Sequence, residues 1–498
     1  MWQSAPMKPT VTTRYGRVRG RWRDGVASFL GIPYAASPTG PLRFRPPAPP
    51  PAWDGTREAD RFGATPPKPR YAPPFDVLLP EPDIPGDDWL TVNVWTPDPG
   101  RAGLPVMVWI HGGAYSNGNS AIPMYDGRAF ARDGAVLVSL NYRLGVDGFA
   151  LLPDAPANRG LLDQIAALEW VRDNIAAFGG DPDNVTVFGE SAGAMSVTTL
   201  LSLPRAQGLF ARAITQSGAA QAAADPADAA LVAKELGLAV GREATAASLA
   251  EVSLPDLIRA HVVVRDALLR QPDPGRFGAS VVASTMAFIP VIDGDLIPVH
   301  PLTAITAGAG SSVPVLTGTT TDEYRLFLMP TGLAGYITDE SLAGVLALLG
   351  IGPAVGDLYR ANRPLAAPGD LLAAVLTDRY FRLPALAVAE ARAAGPAATY
   401  VYEFAWPSPV HGLGACHSLD IPFVFGNLVA EGAEQALGPH PPAGLADRMH
   451  GAWLDFARRG DPGWPAYGPS CPVMVFDAHG GGVQPDPRGD ERRIWALG

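Results

Sequence analysis

Cysteine is nearly missing from this chain of 498 residues, and lysine is almost as rare. Cys416 and Cys471 cannot build a disulfide framework, so a buried core must hold the fold. Two reduced thiols fit a reducing, cytoplasmic setting. Lysine occurs only at Lys8, Lys68 and Lys234, and the formal net charge is -11. With no basic stripe, that balance argues against a nucleic-acid partner. No apolar run approaches the roughly 18 residues of a membrane span. The opening Met1-Trp-Gln-Ser-Ala-Pro-Met-Lys-Pro-Thr10 lacks the basic-then-apolar pattern of a leader. What is abundant is apolar: 47% of residues are hydrophobic and 17% charged, enough for a large core. The excess of arginine, alanine, glycine and proline is that of a GC-rich bacterial genome.

The pattern along the chain predicts an α/β architecture. Residues 11–34 alternate polar and apolar around Arg23-Asp24-Gly25, as a hairpin does. Residues 46–86 are proline-rich and are expected to form a long surface loop. Leu104 to Ile110 and Ala135 to Leu140 are apolar runs of strand length. Leu161, Ile165, Leu168, Ile175 and Phe178 recur at helical spacing, and Gly179-Gly180 ends that helix. Further strands are expected at Val313 to Thr317, Thr399 to Phe404 and Val473 to Phe476. The alternation predicts a largely parallel sheet with helices on both faces. A single domain over 1–498 is expected, with helical insertions at about 220–275 and 338–395. These insertions would cover the strand ends, where an open α/β sheet binds its ligand.

The most informative segment is Val185-Thr-Val-Phe-Gly-Glu-Ser-Ala-Gly-Ala194. An apolar strand enters Gly189-Glu190-Ser191-Ala192-Gly193 and a small-residue helix leaves it. A turn this sharp needs small neighbours, and it thrusts the serine clear of the sheet as an accessible nucleophile. A serine hydroxyl needs a base, a carboxylate that orients the base, and donors for an oxyanion. Ile110-His-Gly-Gly-Ala-Tyr115 follows a strand and can offer backbone N–H groups, together with that of Ala192. The base should follow the serine in chain order, which disfavours His111. His411 and His417 share a loop beyond the Thr399–Phe404 strand, and position leaves both open. Asp322 and Glu323 both lie just past another strand, and their side-chain directions decide between them.

These segments together resemble the type B carboxylesterases, the α/β-hydrolases that include cholinesterases and bacterial p-nitrobenzyl esterases. The resemblance runs in order through Phe29-Leu-Gly-Ile-Pro-Tyr-Ala35, Pro41-Leu-Arg-Phe44, Asn141-Tyr-Arg-Leu-Gly145 and Gly160-Leu-Leu-Asp-Gln164. It continues through Gly179-Gly-Asp-Pro182, Gly189-Glu-Ser-Ala-Gly193, Gln216-Ser-Gly218, Pro290-Val-Ile-Asp-Gly294 and Pro462-Gly-Trp-Pro-Ala-Tyr467. It implies a central, mostly parallel sheet with a small N-terminal antiparallel sheet. It implies Ser191 as nucleophile, Glu323 as acid and His417 as base, with the N–H groups of Gly113, Ala114 and Ala192 as the oxyanion hole. No metal or organic cofactor is implied. Asp163 with Arg143, and Asp87 with Arg43, match pairs that form structural salt bridges, and Ser217 matches a position near the triad.

The resemblance also fixes the expected chemistry: a broad-specificity serine hydrolase acting on small-molecule carboxylic esters through an acyl-enzyme. A carbamate or aryl amide hydrolase would use the same triad, and an inactive scaffold would require loss of one of its members. A monomer or weak homo-oligomer is expected, in the cytoplasm, without a membrane or nucleic-acid partner. A neutral histidine base predicts loss of activity on the acid side, with an apparent pKa of roughly 6–7. Asp87-Asp-Trp-Leu90 stands where most relatives carry a cysteine, so their first disulfide cannot form. No tryptophan occupies the cholinesterase cation site, which disfavours choline esters. Gly112-Gly-Ala-Tyr115 resembles the motif of esterases that accept bulky, even tertiary, alcohols.

Overall fold

The computed structural model describes residues 8–495. Near the start, β1 (Thr10–Thr13) and β2 (Gly16–Arg19) pair antiparallel. The predicted hairpin follows as β3 (Arg21–Arg23) and β4 (Val26–Pro33), with Asp24 and Gly25 both at positive φ in the turn. A short β5 (Thr56–Glu58) joins β2 in parallel, so the small sheet is mixed rather than purely antiparallel. The remaining strands are β6 (Thr91–Thr96), β7 (Leu104–Ile110), β8 (Val136–Leu140), β9 (Gly180–Glu190) and β10 (Arg212–Gln216). They are followed by β11 (Val315–Thr320), β12 (Thr399–Phe404), β13 (Pro472–Phe476) and β14 (Gly482–Pro485).

Among the described residues the main sheet has eleven strands, in the order β14-β13-β12-β11-β10-β9-β7-β8-β6-β4-β3. Every pairing from β13 across to β8 is parallel, and both flanks are antiparallel. The central strands are buried on both sides, which is why β7 reads as an unbroken apolar run. Its alternate residues serve two cores. Val106, Val108 and Ile110 pack with Leu161, Ile165 and Leu168 of the helix Arg159–Asn174. Met107 and Trp109 face Phe188, Phe425 and Trp453 on the other side. The Trp109 ring lies 4.8 Å from that of Phe188 and 5.0 Å from that of Phe425.

Two helical segments follow the C-terminal ends of parallel strands. After β10 come helices Pro226–Val240, Ala246–Ala250 and Leu254–Arg270. Between β11 and β12 come Asp339–Leu348, Pro353–Asn362, Pro368–Thr377 and Leu383–Arg392. Among the described residues no helix is long and apolar enough to cross a membrane.

Two expectations need correction. The proline-rich stretch is not confined to the surface: Ala59, Ala64, Thr65 and Leu78 are buried, and it carries β5 and a short helix Phe75–Leu78. Arg43 does not pair with Asp87. Its Nε lies 3.0 Å from Asp147 on the helix Gly145–Phe149, while Asp87 is exposed. The other expected pair is present and buried: Arg143 meets Asp163 through two contacts of 2.7 and 2.8 Å.

Candidate active site

Ser191 sits between β9 and the helix Ala192–Ser202 with φ 55° and ψ -125°. That is a strained conformation for a residue with a side chain, and its N–H is anchored to the Gln216 carbonyl at 2.9 Å. A Cβ at Gly189 would lie 2.6 Å from the Gly193 backbone, and one at Gly193 would strike the Ile110 carbonyl oxygen. The elbow is therefore packed backbone to backbone against the end of β7. The loop leaving β7 lies directly on it: a Cβ at Gly112 would come within 3.0 Å of Ser191 Cβ.

That loop is tightly bent. Gly113, Ala114 and Tyr115 have φ of 111°, 53° and 57° in succession. Ser116 and Asn117 N–H groups both donate to the Gly113 carbonyl, at 2.9 and 2.7 Å. Gly145 N–H donates to the Tyr115 carbonyl at 2.7 Å. From the proline-rich stretch, Glu81 accepts from Gly118 N–H at 2.8 Å and from Asn117 Nδ2 at 3.0 Å. Lys68 Nζ lies 3.9 Å from the same carboxylate, and both side chains are buried. Burial raises the Glu81 carboxyl and lowers the Lys68 ammonium.

Of the two acids past β11, Glu323 reaches the histidine. Its Oε1 accepts the Thr320 N–H at 2.8 Å, and its Oε2 lies 2.6 Å from His417 Nδ1. Asp322 turns away and accepts the Ala415 N–H at 2.9 Å. Of the two histidines past β12, His417 is buried beside Glu323, while His411 is exposed. Phe381 and Phe327 flank the His417 ring at 4.7 and 5.4 Å between centroids.

His417 Nε2 lies 3.2 Å from Glu190 Oε1, and Ser191 Oγ has no hydrogen bond among the described residues. Such bonds are commonly long without substrate and tighten when it binds. In the motif Glu190 has nothing but its place beside the serine to mark it. Its Oε1 also accepts from Ser418 Oγ at 2.6 Å. Asp420 lies deeper and accepts from Gln216 Nε2 at 3.0 Å and Tyr402 O–H at 2.9 Å. Three buried acids thus surround one imidazole. Desolvation opposes its charging, but Glu190 and Glu323 outweigh it and hold His417 up at about 9. Burial lifts the Glu190 carboxyl to about 7 and that of Asp420 to about 6. Any step that needs His417 neutral is therefore pushed to higher pH than an isolated imidazole would set.

Cys416 is 1% exposed, and burial pushes its thiol well above the usual range, so it packs rather than reacts. Ser217 has φ 52° and a buried hydroxyl with no partner among the described residues. No cluster of three or more His, Cys, Asp or Glu side chains is arranged to hold a metal among those residues.

A parallel-centred sheet carrying a serine on a strand–turn–helix elbow is the α/β-hydrolase fold. The Carboxylesterase family profile matches residues 7–344 and 353–479, and the chain belongs to that family. It is 38% identical to the para-nitrobenzyl esterase of Bacillus subtilis (strain 168), covering 97% of each chain. It is 34% identical to the fumonisin B1 esterase of Sphingopyxis macrogoltabida, covering 94% of this chain and 86% of that one. The crystal structure of the Geobacillus stearothermophilus carboxylesterase EST55 superposes with a TM-score of 0.85 at 39% identity, covering 98% of this chain and 99% of the other. The protein is a carboxylic ester hydrolase.

Proposed function

We propose that the protein hydrolyses a broad range of small carboxylic esters through an acyl-enzyme on Ser191. Neutral His417 takes the Ser191 proton as Oγ bonds to the ester carbonyl carbon. Glu323 fixes the imidazole tautomer and stabilises the imidazolium that forms. The N–H groups of Gly113, Ala114 and Ala192 receive the oxyanion, and each such donor is typically worth about 10²–10³ in rate. As the intermediate collapses, His417 gives its proton to the departing alkoxide and an alcohol leaves. Water then attacks the acyl-enzyme, losing its proton to the same imidazole. As the acyl C–Oγ bond breaks, His417 returns that proton to Ser191 Oγ and the acid departs.

What carries this reading is the 2.6 Å link between Glu323 and His417 beside a strained serine elbow. The test is hydrolysis of p-nitrophenyl acetate and butyrate by wild type, Ser191→Ala and His417→Ala. Activity is expected to vanish in both variants, and turnover surviving in Ser191→Ala would overturn the assignment. Acceptance of bulky alcohols rests on Gly112-Gly-Ala-Tyr115, and complete inertness toward tert-butyl acetate would refute it. The same reading treats the chain as one catalytic domain with two helical insertions, working in the cytoplasm as a monomer or weak homo-oligomer.

A further inference from the structure

The helical insertion after β10 reaches the loop that leaves β7. His261, on the helix Leu254–Arg270, is 4% exposed, and its Nε2 lies 3.0 Å from Ser116 Oγ. Ser116 immediately follows Gly113, Ala114 and Tyr115, the three successive residues at positive φ. Alanine and tyrosine resist that conformation, so contacts outside the loop must hold it.

The imidazole is itself firmly seated. Its ring packs edge-to-face with that of Phe288, 4.8 Å between centroids. It also lies so close to Gly145 that a Cβ there would strike its Nδ1 and Cε1. Gly145 is also the residue whose N–H holds the Tyr115 carbonyl at 2.7 Å. The same ring therefore braces the loop twice, through the Ser116 hydroxyl and through the backbone beneath Tyr115. Burial, reinforced by Arg265, pushes His261 down to about 3, so the ring stays neutral wherever the enzyme works.

We propose that His261 is a positioning residue: through Ser116 it fixes the Gly113–Ala114 turn that aims two N–H groups over Ser191. The inference rests on the oxyanion role given to those groups above. It makes the insertion a part of the transition-state machinery, acting through Ser116. An oxyanion exists only after attack, so loosening this brace should weaken the transition state and leave substrate binding nearly intact.

The test compares His261→Ala, Ser116→Ala and the double variant with wild type on p-nitrophenyl acetate. Inhibition by phenyl trifluoromethyl ketone, which forms a tetrahedral adduct with a serine nucleophile, is measured alongside. Each single variant should lose about 10- to 100-fold in kcat with KM nearly unchanged, since small misplacements of a catalytic group cost about this much. The ketone should bind weaker by the same factor, and the double variant should be no worse than the poorer single one. Should His261→Ala fail to fold, Ser116→Ala alone decides. Unchanged kcat and ketone affinity in the Ser116→Ala variant, or a rise in KM alone, overturns the inference. Wild-type turnover that survives Ser191→Ala overturns the parent reading instead, so the two failures are distinguishable.

Discussion

Glu190→Gln isolates the charge that most distinguishes this site from an isolated histidine. The substitution keeps the shape and an oxygen for Ser418 Oγ, but removes the carboxylate 3.2 Å from His417 Nε2. Two full charges at that distance interact by about 5 kcal/mol at an effective dielectric of about 20. Glu190, although raised to about 7, is ionised where His417 titrates near 9, and the discount comes from the glutamine dipole and local relaxation replacing part of its field. A downward shift of about 1–2 units in the His417 pKa follows, at about 1.4 kcal/mol per unit.

The sign follows from the proposed mechanism: a histidine held above its ordinary value is mostly protonated at neutral pH, and activity should rise with pH as it becomes neutral. Glu190 stabilises the imidazolium both in the resting acid form and in the transition state. On the acid side the two effects cancel, so the profiles of log kcat/KM for wild type and variant should coincide. Above the limb only the transition state benefits, and the variant plateau should be lower by up to about 10- to 100-fold, matching the shift. Rates on p-nitrophenyl acetate between about pH 5 and 10, corrected for spontaneous hydrolysis, give both quantities. An inflection at the same pH in both proteins would refute the reasoning, and so would a uniform drop at every pH.

Asp163→Ala strands the Arg143 guanidinium in the core and should cost about 3–5 kcal/mol, read as an earlier urea midpoint. An unmoved midpoint would mean that the carbonyls around Arg143 suffice to hold it. Iodoacetamide should alkylate Cys471, which is only partly buried, and leave Cys416 and activity untouched. Peptide mass spectrometry checks this, and inactivation in step with Cys416 labelling would refute it.

Much of the scaffold was legible because its strands are buried on both faces and so are continuous apolar runs. The strand expected at Thr399 to Phe404 has those bounds in the structure. The strand expected at Val313 to Thr317 instead runs from Val315 to Thr320. Pro314 has no N–H for a ladder, and the polar-looking Thr317, Thr319 and Thr320 are buried there. Prolines made residues 46–86 look like a surface loop, yet the segment supplies Glu81 to the turn beside the serine. Arg43 looked like a partner for Asp87 because only a pairwise match was visible. The short helix Gly145–Phe149 then offered it Asp147 at closer range.

The chemistry of the site was legible in a different measure. Ser191, Glu323 and His417 each stand in a recognisable local setting, just beyond the end of a strand. The proton affinity of His417 has no such local signature. It is set jointly by Glu190 from the elbow, Glu323 from beyond β11 and Asp420 from beyond β12, all brought together by the parallel order β9-β10-β11-β12. Adjacent parallel strands end on the same edge of the sheet, so acids placed after them in the chain converge without any shared motif. The same convergence accounts for His261, whose helix follows β10 and returns over that edge. Spacing within one motif can therefore single out a serine on a sharp turn, whereas the field around it is a property of strand order.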